Sequence, residues 1–194
     1  MVCGRQGEGN GDPRSRWEWG NPPRKQGDYA YLLHIIRAMK STGKGACILP
    51  HGVLFRGNAE ADIRTALVKS GYLKGIIGLP PNLFFGTGIA ACILALDKEN
   101  AASRKGIFMI DASKGFIKDG PKNRLREQDL HRITDTFTRG HDIHGNARMV
   151  PCDEIADDKN AFNLNLPRYL PSAEAEDLQD IAAHLHGGLP QRDI

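Results

Sequence analysis

The histidines and cysteines are the residues whose types and spacing could support metal or nucleophilic chemistry. His141 with His144 and His184 with His186 have ligand-like spacing, but no cysteine or carboxylate stands at matching ligand spacing. The four cysteines form no C-x-x-C pair, and no Ser-His-Asp or Cys-His arrangement is evident in the motifs. The sequence therefore predicts reduced thiols, no metal site and no catalytic nucleophile.

A glycine-rich turn at Gly86-Thr87-Gly88 is the second candidate, because such turns can hold phosphates. In a nucleotide-binding α/β domain the turn follows the first strand and leads into a helix. Here the apolar run Cys47–Leu49 is followed by Pro50–Phe55, which is no such turn, and residues 86–88 precede an apolar run. This order of elements is typical of the second half of an α/β domain.

Composition and charge exclude several classes of protein. The 194 residues are 40% hydrophobic and 25% charged, enough for one domain with a buried core. The sequence has neither an apolar run of about 18 residues nor an apolar N-terminal stretch, which argues against a membrane or secreted protein and favours the cytoplasm. Net charge is +5 over residues 1–56, +4 over 57–149 and −6 over 150–194. The basic part is compatible with a polyanionic partner or with an ordinary solvated surface.

Hydrophobic periodicity predicts the elements that would position any site. Helices are expected after Asp28 and Asn58, each residue serving as an N-cap, and near residues 125–138 and 173–186. Apolar runs predict strands at 46–50, 72–79, 90–96 and 106–111, whereas residues 1–27, 114–123 and 138–171 are expected to be irregular. The alternation in the first half predicts an α/β fold with a mostly parallel sheet. The last two predicted strands have no helix between them, so at least one should be antiparallel.

Several ordered blocks carry a family resemblance. They are Asp28-Tyr-Ala-Tyr-Leu-Leu-His34, Leu49-Pro-His-Gly-Val-Leu-Phe-Arg56, Ile77-Gly-Leu-Pro-Pro-Asn-Leu-Phe-Phe-Gly-Thr-Gly88, Ala91-Cys-Ile-Leu-Ala-Leu-Asp-Lys98, Ile110-Asp-Ala-Ser113, Asn123-Arg-Leu-Arg126 and Asn163-Leu-Asn-Leu-Pro-Arg-Tyr169. Together they resemble the modification subunit of type I restriction–modification systems, an N6-adenine DNA methyltransferase. The resemblance covers roughly residues 16–190.

The resemblance implies a Rossmann-like methyltransferase fold that uses S-adenosylmethionine and flips an adenine out of duplex DNA. It also implies a specificity subunit and a restriction subunit as partners. On this interpretation the chain is the C-terminal half of the methyltransferase sheet followed by a mainly helical or irregular extension. Residues 1–27 would be a linker, 28–113 the partial methyltransferase domain and 114–194 the extension.

The sequence departs from the family upstream of the Asp-Tyr-Ala helix. The family places its cofactor turn and its catalytic Asn-Pro-Pro-Phe/Tyr block there, whereas this chain has only 27 residues and no such turn. Asn21-Pro22-Pro23 resembles the catalytic block, but Arg24 stands where an aromatic residue should stack on the base. The segment is therefore interpreted as a linker, and activity based on Asn21 remains an alternative.

The resemblance also suggests individual site residues. Phe84 and Phe85 lie in a loop where this family walls the target-base pocket, although either could instead be a core residue. Arg56 follows the turn after the first strand, where it could meet a phosphate or be simply solvated. Asp28 and Tyr29 are weak candidates for contact with the cofactor adenine.

The sequence-based hypothesis is a fragment of a type I methylase subunit, inactive alone. A half of a split enzyme, completed in trans by an upstream methyltransferase half, and a non-catalytic docking or DNA-binding module are the alternatives. A sheet lacking its central strands would expose an unpaired edge, so the chain is expected to be poorly soluble or oligomeric by itself.

Overall fold

The computed structural model describes residues 16–170, which form a mixed α/β fold. The helices are α1 (Asp28–Ala38), α2 (Ala59–Lys69), α3 (Glu127–Arg139) and α4 (Cys152–Ala156). The strands are β1 (Lys44–Pro50), β2 (Leu73–Gly78), β3 (Ala91–Asp97), β4 (Gly106–Asp111), β5 (Ile117–Asp119), β6 (Lys122–Arg124) and β7 (Ala147–Pro151). Short 3₁₀ turns occur at His51–Leu54, Ala101–Ser103 and Leu166–Arg168.

Five strands form the main sheet in the order β1-β3-β2-β4-β7, and β5 with β6 forms a separate hairpin. The expectation of a mostly parallel sheet is wrong, because only β2 and β4 pair in parallel. The other three pairings, β1 with β3, β2 with β3 and β4 with β7, are antiparallel. The cause lies in the chain connections. After β2 the chain reverses direction, so β3 lies antiparallel between β2 and β1, and after α3 it reverses again, so β7 lies antiparallel to β4. Strands β1, β2 and β4 still run in one direction.

Two apolar layers sandwich the sheet. Helices α1 and α2 cover one face, with the predicted stripe of α1, residues Tyr29, Leu32, Leu33 and Ile36, buried in the larger core. Helix α3 covers part of the other face, where Phe137 packs against Phe108 with ring centroids 6.3 Å apart. Cys47 and Cys92 are buried free thiols, as expected from their apolar surroundings.

Several element predictions need correction. Residues 117–124 form a hairpin instead of a loop, because Gly120 turns the chain with φ +58. Residues 147–151 form strand β7 on the edge of the main sheet, and α4 follows it, although this region was expected to be irregular. Asp28 is the first residue of α1 and not its N-cap, which is Gly27. The predicted helix near 173–186 lies outside the described residues.

Strand β1 is an edge strand of the main sheet as described. Its Cys47 and Leu49 side chains enter the larger core, whereas Ile48 points to the opposite face and is 54% exposed. Because α3 covers β4 and β2 on that face, the β1 end remains open to solvent. Between residues 16 and 170, the structure has no helix of the length and hydrophobicity that a membrane span requires.

Candidate functional site

The carboxyl ends of β1, β2 and β4 meet at one edge of the sheet. Pairing places Pro50 of β1 beside Ala91 of β3, and Gly78 of β2 beside Asp111 of β4. The residues that follow these strands are therefore neighbours: the 51–58 segment, a loop at residues 79–90 and the start of the segment that leads to hairpin β5–β6. We call residues 79–90 the base loop, after the target-base role that the family resemblance implies for it.

The base loop presents its two adjacent aromatic residues differently. Phe84 is half-buried and packs against the smaller core on the α3 side of the sheet. Phe85 is 93% exposed and precedes Gly86, whose φ of +76 reverses the chain. Ile89, 64% exposed, adds a second apolar side chain to the same loop. Phe85 is thus the residue that an approaching planar group could stack on, which sequence reasoning left undecided between Phe84 and Phe85.

Hairpin β5–β6 holds the base loop in place. The Lys122 ammonium donates to the carbonyl of Phe84 at 2.7 Å and to that of Thr87 at 3.1 Å. Asn123 donates its side-chain amide to the carbonyl of Pro81 at 2.6 Å, and its backbone N–H donates to the carbonyl of Asn82 at 2.9 Å. Four hydrogen bonds thereby fix the loop from a segment more than 30 residues away in sequence. This contact was missed because residues 114–123 were expected to be irregular.

Arg56 is held by two carboxylates. Its guanidinium contacts Asp28 at 2.8 Å and Glu60 at 3.3 Å, and only 23% of its side chain is exposed. Glu60 is almost fully buried, so desolvation raises its pKa despite the attraction of Arg56. Arg56 thus links α1 and α2 through ion pairs with Asp28 and Glu60, which accounts for the positions of Arg56 and Asp28. It offers no support for the phosphate contact predicted for Arg56 or the cofactor contact predicted for Asp28.

Tyr29 belongs to the core. Its side chain is 1% exposed, and its hydroxyl donates to the carbonyl of Val53 at 2.7 Å. Burial raises the pKa of this phenol. The buried Arg64 donates to the same carbonyl and to that of Arg56, so Tyr29 and Arg64 together fix the 51–58 segment. The ring is thus part of the core packing here, and the cofactor contact suggested for Tyr29 stays a prediction.

His51 lies at the same edge and was not singled out from the sequence as a site residue. Its backbone N–H donates to the carbonyl of Ala90, at the end of the base loop, at 3.0 Å. Its Nε2 atom is buried without a hydrogen-bond partner among the described residues. Burial lowers the pKa of the imidazole, although Asp111 opposes this effect. Its position directly after a buried strand was the only available signal in the sequence.

A cavity of about 340 Å³ opens between the end of β4 and α3. Charged groups line it, among them Asp111, Arg132, and Arg126 with Asp129, which pair at 2.8 Å. This ion pair lowers the pKa of Asp129. Within residues 16–170 no three His, Cys, Asp or Glu side chains come together as a metal-ligand set.

The segment Asn21-Pro22-Pro23 starts near the opposite edge of the sheet. Trp19, two residues before Asn21, packs on Tyr72 just before β2, with ring centroids 5.7 Å apart. The interpretation of this segment as a linker stays a prediction.

Comparison with known proteins identifies the family. The sequence model of the N-6 DNA Methylase family matches residues 7–178. The type I restriction enzyme MjaVII methylase subunit of Methanocaldococcus jannaschii is 36% identical over 165 residues, 82% of this chain and 28% of that protein. The HindI methylase subunit of Haemophilus influenzae is 32% identical over 86% of this chain and 38% of that protein. The chain thus spans about a third of the length of these relatives.

Solved structures agree with this assignment. The methyltransferase subunit of a type I restriction–modification system from Streptococcus thermophilus is 38% identical, with a TM-score of 0.74 over 82% of this chain and 33% of that one. A modification subunit of a putative type I restriction enzyme from Vibrio vulnificus shares the fold, with a TM-score of 0.58 at 22% identity. The chain therefore belongs to the N-6 DNA methylase family, as a relative of the methylase subunits of type I restriction enzymes.

Proposed function

We propose that this chain supplies the target-base side of an N6-adenine DNA methyltransferase of the type I restriction–modification class. In that reaction the N6 amine of an adenine in DNA receives the methyl group of S-adenosylmethionine. The observation that carries the proposal is Phe85, an exposed aromatic ring on a clamped loop at the carboxyl edge of a sheet of this family. Stacking of a flipped base on an aromatic ring contributes on the order of 1–3 kcal/mol.

The role of the chain's own residues follows from this geometry. Phe85 forms one wall of the pocket for the extruded adenine, and Phe84 anchors the loop in the smaller core. Lys122 and Asn123 set the position of that wall. S-adenosylmethionine would supply the methyl group. We assign none of the described residues to it, because Tyr29 is buried and Asp28 is paired with Arg56.

The open β1 edge supports completion of the sheet by another segment. Further strands and helices could pair and pack at the exposed Ile48 and at the backbone edge of β1 that no other described strand occupies. We propose that an upstream methyltransferase half, with the cofactor turn and the catalytic Asn-Pro-Pro-Phe block, occupies this edge. The chain would then be the C-terminal half of the Rossmann-like sheet and would be inactive alone. DNA, a specificity subunit and a restriction subunit complete the proposed assembly, which acts on cellular DNA in the cytoplasm.

A complementation assay tests this proposal. The purified chain is mixed with DNA, tritiated S-adenosylmethionine and the specificity subunit, with and without a separately expressed upstream half. We expect tritiated methyl groups on the N6 atom of adenine only when both halves are present. We expect this transfer to be lost with Phe85→Ala. Methyl transfer by the chain without the upstream half would contradict the proposal that the upstream half holds the cofactor turn and the catalytic block. Stable docking without transfer would favour a non-catalytic module.

A further inference from the structure

Hairpin β5–β6 and its flanks carry concentrated positive charge beside the uncharged base loop. Residues 113–126 contain five Lys or Arg and a single carboxylate, Asp119, whereas residues 79–90 contain no charged residue. The four hydrogen bonds from Lys122 and Asn123 tie the two segments together. Whatever approaches Phe85 therefore also approaches the charges of the hairpin.

Two of these cations are exposed, one on each strand of the hairpin. Lys118 is exposed, with its ammonium 5.8 Å from the ring centre of Phe116. Arg124 is 62% exposed and pairs at 3.1 Å with the equally exposed Asp119. Such surface pairs contribute little, so Arg124 can exchange this carboxylate for another anion at small cost. Lys122, by contrast, is engaged in holding the base loop.

We infer that Lys118 and Arg124 bind the backbone phosphates of duplex DNA beside the extruded adenine. This inference rests on the proposed function, because it takes the ligand of Phe85 to be a base in DNA. Cations that neutralise phosphates next to an aromatic ring that stacks on a base are a combination suited to nucleic acid. An acidic protein surface would use the cations but would leave Phe85 and Ile89 exposed without a matching group.

Salt-dependent binding tests the inference on the chain as it exists. Fluorescence anisotropy with a labelled unmethylated duplex gives the dissociation constant at salt concentrations between about 50 and 200 mM. Over this range phosphate contacts make the dissociation constant depend strongly on salt. Each lost phosphate contact should lower the slope of log K against log salt by about 0.9. We expect Lys118→Met and Arg124→Met each to weaken binding several-fold and to lower the slope by this amount. Lys40→Met, an exposed lysine just after α1, is the matched control and should leave the slope unchanged.

The inference would be overturned by absence of duplex binding at low salt, by equal losses in Lys40→Met and the hairpin variants, or by displacement of the duplex as readily by polyglutamate as by unlabelled DNA. Circular dichroism of each variant confirms that the fold is retained. Phe85→Ala keeps the full salt slope if the hairpin binds phosphates, because it removes no charge. Unchanged slopes in the hairpin variants, together with methyl transfer that depends on Phe85, would refute the phosphate contacts and leave the proposed function standing.

Discussion

At the scale of single residues, the neighbouring side chains of Phe84 and Phe85 differ in burial although they are identical in type. One ring is half-buried against the smaller core and the other is 93% exposed. A single exposed aromatic side chain is common at protein surfaces, so the proposed binding role of Phe85 rests on its place in a clamped loop at the carboxyl edge of the sheet. The division could not be read from the sequence, because both residues lie in one loop without periodicity. It depends on the position of α3 and of hairpin β5–β6.

Alanine substitutions should separate the two rings. Phe84→Ala should lower the free energy of unfolding by about 1–2 kcal/mol, less than the 3–5 kcal/mol of a fully buried phenylalanine, because part of the side chain is already in water. Phe85→Ala should leave this free energy unchanged within about 0.5 kcal/mol. Urea denaturation measures both. A destabilisation by Phe85→Ala as large as that by Phe84→Ala would refute the exposed position of Phe85.

His51 should make stability depend on pH. Burial lowers the pKa of its imidazole, so the folded state resists a proton that the unfolded chain accepts below about 6.5. Stability from this residue is therefore complete above that pH and is lost as the pH falls through the folded-state pKa. Urea denaturation between pH 7.5 and 5, where an ordinary histidine titrates, should show a shallower decline for His51→Asn than for the wild type.

His131→Asn is the control for that experiment, since His131 is exposed on α3. It shows what the loss of one exposed histidine does to the unfolding free energy, so that the effect of losing the buried His51 can be compared with it. Identical profiles for the wild type and His51→Asn would show that the imidazole of His51 is not protected by burial.

At the scale of elements, strong periodicity was enough to predict α1, α2 and β1 to β4 within a few residues. Each has an apolar stripe or run that enters a core. The weak elements were missed for a physical reason. Strands β5 and β6 have three residues each and β7 buries only two, Ala147 and Val150, so long-range pairing defines them and no local pattern does. The same limit concealed the clamp on the base loop.

Lys122 should govern the mobility of the base loop. Hydrogen bonds from a charged donor contribute about 1.5–3 kcal/mol, so Lys122→Met should increase amide exchange at Asn82 and Asn123 roughly ten- to a hundred-fold. Lys118→Met, four positions before Lys122 on the facing strand β5, removes an exposed charge that forms none of the four hydrogen bonds to the loop, and is the control. Exchange measured by NMR would contradict the clamp if both variants changed these amides equally.

The β1 edge should control self-association. An exposed strand edge beside Ile48 offers both backbone hydrogen bonds and apolar surface to a second copy. Ile48→Lys should shift the isolated chain toward the monomer in analytical ultracentrifugation, because an edge lysine opposes strand pairing. A wild-type chain that is already monomeric at all concentrations would contradict this expectation.

At the scale of the whole molecule, the family and at least one antiparallel strand, here β3, could be predicted from the sequence, but the predominance of antiparallel pairings could not. Ordered motif blocks identified the N-6 DNA methylase family, which the match to residues 7–178 confirms. The sheet contains mainly antiparallel pairings, because β3 runs antiparallel between β1 and β2, and β7 runs antiparallel beside β4. The chain spans about a third of the length of its relatives, and the exposed Phe85 at its carboxyl edge is the basis of the proposal that it holds the target base.

Calorimetric titration of the purified chain with S-adenosylmethionine is the decisive measurement. In the proposed enzyme the target base contacts residues of this chain, and the cofactor contacts an upstream half. We therefore expect no binding heat up to millimolar cofactor, and saturable heat once the upstream half is added. Saturable micromolar binding by the chain alone would contradict this proposal, because the cofactor site would then lie within these residues.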